Sequence, residues 1–151
     1  MNITAMIALA TSLTASAAWS QEFPQTQAEH YEVGQRFASC SAYFAYGAGV
    51  ARSAGLEDSA VAIEGMERGW RFAGMFLLVD GLAESRQTET ETTFLTLQKI
   101  KVDQLKARRE IGIAMGNDDP EAWIAEYQEE CGPWLPMQQS IIQAMRTAPA
   151  S

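Results

Sequence analysis

Apolar and small residues recur at alternating intervals of four and three between residues 33 and 54, and this spacing constrains the fold more than any other feature. The series is Val33, Phe37, Cys40, Phe44, Gly47, Ala51 and Ala54. Residues three and four apart share one face of an α-helix, whereas a strand exposes and buries alternate residues. The pattern therefore predicts a long helix with one packed face.

Capping residues mark the ends of this helix and the start of the next. Thr26 and Glu29 form a capping box before the first helix, and Gly55 provides its stop. A second helix is predicted from Asp58 or Ser59 to about Val79. Its predicted packed face consists of Ala62, Met66, Gly69, Ala73 and Phe76, widened by Ile63, Trp70 and Leu77. This wide apolar face predicts that the second helix is the central one.

Three further helices are predicted in the rest of the chain. The third follows a capping box at Thr88 and Glu91. Its apolar face is formed by Leu97, Ile100, Ala107, Ile111 and Ala114, with Phe94 and Leu105 beside them and Gln104 as an interruption. The fourth begins at residues 118–121, where an aspartate cap precedes a proline. The fifth runs from about Pro136 to Arg146. Since no strand-like alternation is present, the sequence predicts an all-α compact bundle of four or five helices.

The N-terminal segment has the layout of a signal peptide. Residues 3–15 are uncharged and mostly apolar, and the small residues that follow favour cleavage after Ala17 or Ala18. Because no Lys or Arg precedes this core, a retained N-terminal helix is the alternative. The prediction is a cleaved signal peptide (1–18), a single helical domain (19–146) and a frayed tail (147–151). We expect a periplasmic or secreted protein without stable membrane insertion after cleavage, since no later apolar run approaches about 20 residues.

The two cysteines of the chain are Cys40 and Cys131, and neither belongs to a Cys-x-x-Cys motif. An oxidising compartment favours a bond between two such residues in an exported chain. We therefore predict one disulfide that cross-links the bundle. Two separate buried thiols are the alternative, because free cysteine packs well as a small hydrophobic residue.

Charge and motif content exclude several functional classes. A net charge of −8 and an isoelectric point near 4.6 count against nucleic acid as a partner. The single histidine, His30, cannot complete a zinc site with ordinary ligands, and neither a di-iron nor a calcium-loop pattern is present. We expect no metal, no cofactor and no catalytic motif of the well-marked enzyme classes.

Acidic residues are densest between positions 118 and 130. They are Asp118, Asp119, Glu121, Glu126, Glu129 and Glu130. A hydrated acidic helix that faces the basic third helix explains them best. The alternative is a carboxylate pair that acts on a glycosidic bond.

The general layout resembles that of small exported bacterial proteins, among them helical immunity proteins that neutralise periplasmic toxins, although no motif is specific to that group. The first hypothesis is a non-enzymatic protein-binding or accessory protein, with Trp134 as the contact to its partner. Core packing is the competing interpretation of Trp134, since tryptophan is mostly buried in folded proteins. The other hypotheses are a cell-wall-acting hydrolase that uses carboxylates and a carrier of a small ligand between helices. The glycines on the packed faces favour close packing and count against the carrier.

Overall fold

Five α-helices and two short 3₁₀ helices make up residues 22–149, the part of the chain that this computed structural model describes. The α-helices are α1 (Gln27–Ser53), α2 (Glu57–Gly81), α3 (Thr90–Ala114), α4 (Ala122–Cys131) and α5 (Leu135–Thr147). The 3₁₀ helices, Glu84–Glu89 and Gly132–Trp134, lead into α3 and α5. The described residues contain no strand, and the predicted all-α bundle is confirmed. The predicted signal peptide lies outside them. None of the described helices has the length and apolar composition that crossing a membrane requires.

The centre of the bundle is α1. It packs against α2, α3 and α4, and Phe37, Tyr43 and Ala51, which lie along its length, are fully buried. Its predicted seam is confirmed from Phe37 to Ala51. Its start is also confirmed, because the Thr26 hydroxyl and the Glu29 carboxylate form the expected capping box. The prediction that the second helix is central is wrong, since α2 leaves one long face uncovered.

The disulfide between Cys40 and Cys131 is present and ties α1 to the last residue of α4. Both residues are almost completely buried. The predicted cross-link of the bundle is therefore confirmed, and the alternative of two separate thiols is wrong.

The helix starts predicted for α2, α3 and α4 differ from the structure. α2 begins at Glu57 without a side-chain cap. Thr88 belongs to a 3₁₀ helix and forms no capping box. α4 begins at Ala122, after a turn in which the Asp119 carboxylate accepts a hydrogen bond from the Glu121 amide at 3.1 Å. Aspartate stabilises such a turn as readily as a helix start, and this explains the later beginning.

The predicted packed faces of α2 and α3 are wrong in part. On α2 the buried apolar side chains are Ala60, Ile63, Trp70, Ala73, Leu77 and Leu78, whereas Ala62, Met66 and Phe76 are exposed. On α3 the buried residues are Thr90, Phe94 and Leu105, whereas Ile100, Ala107, Ile111 and Ala114 are exposed. Both helices therefore present apolar side chains to solvent.

α1 and α2 run antiparallel and approach most closely at glycines. A Cβ atom at Gly34 would lie 2.7 Å from the Leu78 side chain, and one at Gly81 would lie 2.5 Å from the backbone nitrogen of Tyr31. The second contact involves backbone atoms, which cannot rotate away as a side chain can. The helix pair therefore depends on a residue without a side chain at position 81.

We expect the Gly81→Ala variant to lose about 1–3 kcal/mol of unfolding free energy, the usual range for overpacking. Gly49→Ala is the matched control, since nothing lies within 4 Å of a Cβ at that position. The control should be as stable as the parent or more stable by up to about 1 kcal/mol, because it removes a glycine from a helix. Urea unfolding measures both, and equal stability of the two variants would contradict the close approach.

Candidate functional site

Trp134, the predicted partner contact, is half-buried at the end of the 3₁₀ helix that follows Cys131. One edge of the indole meets the Phe37 ring, with 6.4 Å between the ring centroids. The guanidinium carbon of Arg36 lies 4.9 Å from the centroid of the indole. The side chain therefore contacts the core and is covered in part by a cation. Its contact with a partner stays a prediction.

A polar cavity of about 290 Å³ adjoins the disulfide. Its lining includes the carboxylates of Glu32 and Glu130 together with the Arg36 side chain. Glu130 also accepts a hydrogen bond from the Lys101 ammonium of α3 at 3.2 Å. This carboxylate helps to hold α4 against α3, and the hydrolase hypothesis stays a prediction.

The acidic α4 region faces the basic α3, as the sequence predicts. Lys101 pairs with Glu130, Arg108 with Glu126, and Arg109 with Asp118 through two hydrogen bonds. The Arg109 guanidinium also holds the pKa of Asp118 below its usual range. These acids therefore contribute to the attachment of α4.

The aromatic core beneath these pairs contains two perturbed tyrosines. Burial raises the pKa of Tyr127 to about 12, although the Trp70 indole acts in the opposite direction. Burial, and after it the nearby Glu130, also raises the pKa of Tyr43. The Tyr43 hydroxyl has no hydrogen-bond partner among the described residues. Both phenols therefore favour the neutral form in the folded protein.

We expect the native protein to form less tyrosinate than the urea-unfolded protein at about pH 11, where unfolded tyrosines, with a pKa of about 10, are mostly ionised. The stability that these phenols contribute is fully present below about pH 10 and decreases as the pH rises towards 12. Ultraviolet absorbance of tyrosinate is the measurement, with circular dichroism as the check that the chain is still folded. Equal tyrosinate in a folded and an unfolded sample would contradict the burial of Tyr43 and Tyr127.

A buried cluster of hydrogen-bonded polar side chains lies inside the bundle, where α1, α2 and α3 meet. The carboxylate of Glu67 accepts hydrogen bonds from Ser41 at 2.9 Å, from Gln98 at 2.6 Å and from two guanidinium nitrogens of Arg71 at 2.9 and 2.7 Å. Ser41 is fully buried and Glu67 is only 4% exposed. Because neither group is accessible to a substrate, we interpret the cluster as a link between three helices.

The only histidine also links two helices. Its Nδ1 atom lies 2.9 Å from the carbonyl oxygen of Thr26, and its Nε2 atom lies 3.9 Å from a carboxylate oxygen of Asp80. Across residues 22–149, no three His, Cys, Asp or Glu side chains are grouped so that they could hold a metal ion.

Two of the exposed phenylalanines, Phe72 and Phe76, lie on the open face of α2. Val61, Phe72, Phe76 and Val79 are 52%, 51%, 42% and 40% exposed. At 3.6 residues per turn, these four fall on one stripe along the helix. Phe72 is two positions from the buried Trp70, so the two side chains point to nearly opposite sides. We call these four residues the α2 stripe.

The sequence prediction missed most of this stripe. It assigned Phe76 to the packed face and did not single out Val61, Phe72 or Val79. The available signal was the spacing of four and three from Phe72 through Phe76 to Val79, which the packed face of α2 does not need.

No protein-family model, curated protein or solved structure matches the chain.

Proposed function

We propose that the protein is a non-enzymatic, exported binding protein that contacts a partner protein through the α2 stripe. The observation that carries the proposal is the exposure of Phe72 and Phe76 on the face of α2 opposite the core. Monomeric proteins rarely expose contiguous apolar patches without a binding role. A rigid helix also presents such side chains at a low ordering cost, which favours association.

Charges around the stripe define the chemistry of the partner. Exposed Glu57, which pairs with Arg52, and exposed Asp58 precede it, and exposed Asp80 follows it. Arg68 is the basic residue on the same face, and the whole chain carries a net charge of −8. The partner that this surface fits is an amphipathic segment with an apolar face flanked by Lys and Arg, because opposite charges favour association and orient it.

Two designed helical peptides test this chemistry. One combines leucine with lysine, and the other combines leucine with glutamate in the same pattern. We expect the lysine peptide to bind, and the Phe72→Ser variant to bind it at least about tenfold more weakly, as for an interface anchor. Ile111→Ser is the matched control, since Ile111 is 61% exposed on α3 outside the stripe.

The same proteins then serve as baits for periplasmic extract. A partner of the stripe should be captured by the parent and by Ile111→Ser, but not by Phe72→Ser. Preference for the glutamate peptide, or equal loss of binding in both variants, would contradict the proposal.

Trp134→Ala tests the contact predicted from the sequence. Because the indole packs against Phe37, we expect this variant to be less stable and to bind the lysine peptide as the parent does. A variant of unchanged melting temperature that no longer binds would instead identify Trp134 as the partner anchor. That result would move the interface away from the α2 stripe.

The exported location gives a separate expectation. Protein recovered from the periplasm or the medium should begin at Ala18 or Trp19, as the small residues before the cleavage position indicate. Intact-mass measurement checks this directly. A mass that includes residues 1–17 would contradict cleavage.

A further inference from the structure

An open groove of about 520 Å³ lies between the C-terminal half of α1 and α3. Its apolar lining comes from Ala45 and Val50 of α1 and from Val102 and Ile113 of α3. The volume falls within the range of small-molecule sites, which are mostly apolar with a few polar groups. The groove therefore has the size and lining of a binding site for a largely apolar small molecule.

Gly49 lines this groove and, like Gly65 of α2, is a helical glycine without a close neighbour. At Gly34, Gly47, Gly74 and Gly81, a Cβ atom would lie within 3.0 Å of a neighbouring helix, so packing explains the glycine. At Gly49 nothing lies within 4 Å, and its φ is not positive. A glycine inside a helix is unfavourable relative to alanine. The missing side chain of Gly49 leaves open space in the groove.

The charged lining of the groove has one available cation. Arg109 is bound by Asp118 through two hydrogen bonds. Lys99, Lys101 and Arg108 of α3 also form ion pairs. Within residues 22–149, the Lys106 ammonium forms none. Glu110, one turn further along α3, also lines the groove and offsets part of this charge. The charge available to a ligand is therefore a single ammonium beside apolar walls.

We propose that this groove binds a free medium-chain carboxylate, with the alkyl chain over Gly49 and the carboxylate at Lys106. The proposal is independent of the α2 stripe, which lies on another helix. An anionic head group complements the unpaired ammonium, and the alkyl chain replaces water along Val50, Val102 and Ile113. A cationic or neutral amphiphile lacks the first of these interactions.

Decanoate is the probe, and isothermal titration calorimetry is the measurement. We expect the Gly49→Leu variant to bind decanoate at least about tenfold more weakly, because the leucine side chain occupies the space of the alkyl chain. Gly65→Leu is the matched control. It replaces a glycine of α2 whose nearest contact is the flexible end of Arg68 at 3.7 Å, and it should bind as the parent does. Both replacements favour the helix, so neither should lower the melting temperature.

Two charge variants test the position of the head group, and we expect them to change decanoate affinity in opposite directions. Lys106→Met should weaken decanoate binding about threefold to fivefold, as for an exposed ion pair. Glu110→Gln should strengthen it, since it removes a like charge from the groove. Lys99→Met, on the same helix outside the groove lining, should leave binding unchanged.

Several results would overturn the proposal. They are the absence of decanoate binding by the parent, binding that Gly49→Leu leaves unchanged, and equal binding of decyltrimethylammonium. Binding to phosphatidylglycerol vesicles without binding of decanoate would also overturn it, since the ligand source would then be a lipid surface and not a free carboxylate.

Discussion

Replacing Cys40 and Cys131 together by alanine should lower the free energy of unfolding by about 4–5 kcal/mol, the value that the chain-entropy model gives for a loop of this length. The two residues are 91 positions apart, so the bond constrains most of the unfolded chain. A typical domain has a total stability of about 5–15 kcal/mol. The double variant is therefore expected to approach the limit of folding at physiological temperature.

Urea unfolding of the double variant and of the oxidised parent is the measurement. Alanine is chosen because a serine at these buried positions would add the cost of an unpaired hydroxyl. The parent unfolded in the presence of a reductant should lose a similar amount of stability. A double variant with the midpoint and slope of the oxidised parent would contradict a stabilising role of the bond.

The parts of the fold that could be predicted from sequence are those with a single strong local pattern. α1 carries one unbroken apolar seam and a capping box, so both its face and its start were correct. The disulfide needed no helical pattern, since a chain with two cysteines has one possible intramolecular pairing. On α4, Trp123, Tyr127 and Cys131 follow one another at intervals of four, and this spacing alone is enough to place the cysteine on the aromatic face that packs in the core.

The packed face of α2 could be predicted only in part because the helix has apolar residues on both sides. Trp70 and Phe72 each belong to a seam with helical spacing, and periodicity does not rank one seam above the other. Glu67 lies on the side that is buried, and a carboxylate on a packed face normally counts against burial. Its hydrogen-bond partners Ser41 and Gln98 come from other helices, and no local sequence pattern predicts these contacts.

The same reason explains the wrong face of α3. Its packed side includes the half-buried Gln98 and Lys101, each of which bonds to a residue of another helix, and the exposed Arg108 pairs with Glu126 of α4. The apolar residues Ile100 and Ile111 are instead exposed. Polar contacts between residues distant in the chain therefore decide which face packs. The α2 stripe could not be located before those contacts were known.

Removal of the buried Glu67 carboxylate should also lower the free energy of unfolding by a large amount. We expect Glu67→Ala to lose about 3–5 kcal/mol of unfolding free energy, the usual effect of breaking a buried charged pair by removing one partner. The substitution leaves the Ser41 hydroxyl without its acceptor, leaves the Gln98 amide with the Ser41 oxygen as its one acceptor in the cluster, and leaves the Arg71 guanidinium, which is 35% exposed, without its carboxylate.

Glu64→Ala is the matched control, since Glu64 lies three residues before Glu67 on the same helix. The Glu64 side chain is 36% exposed and pairs with Arg52 at the surface, so its loss should change stability much less. Urea unfolding compares the two variants. A combined Ser41→Ala, Glu67→Leu and Gln98→Leu variant should recover part of the loss, because replacing all three hydrogen-bonded groups by apolar ones removes the unpaired donors. If Glu67→Ala were no more destabilising than Glu64→Ala, the cluster would not hold the three helices together, and the packing of α2 would have to rest on its apolar contacts alone.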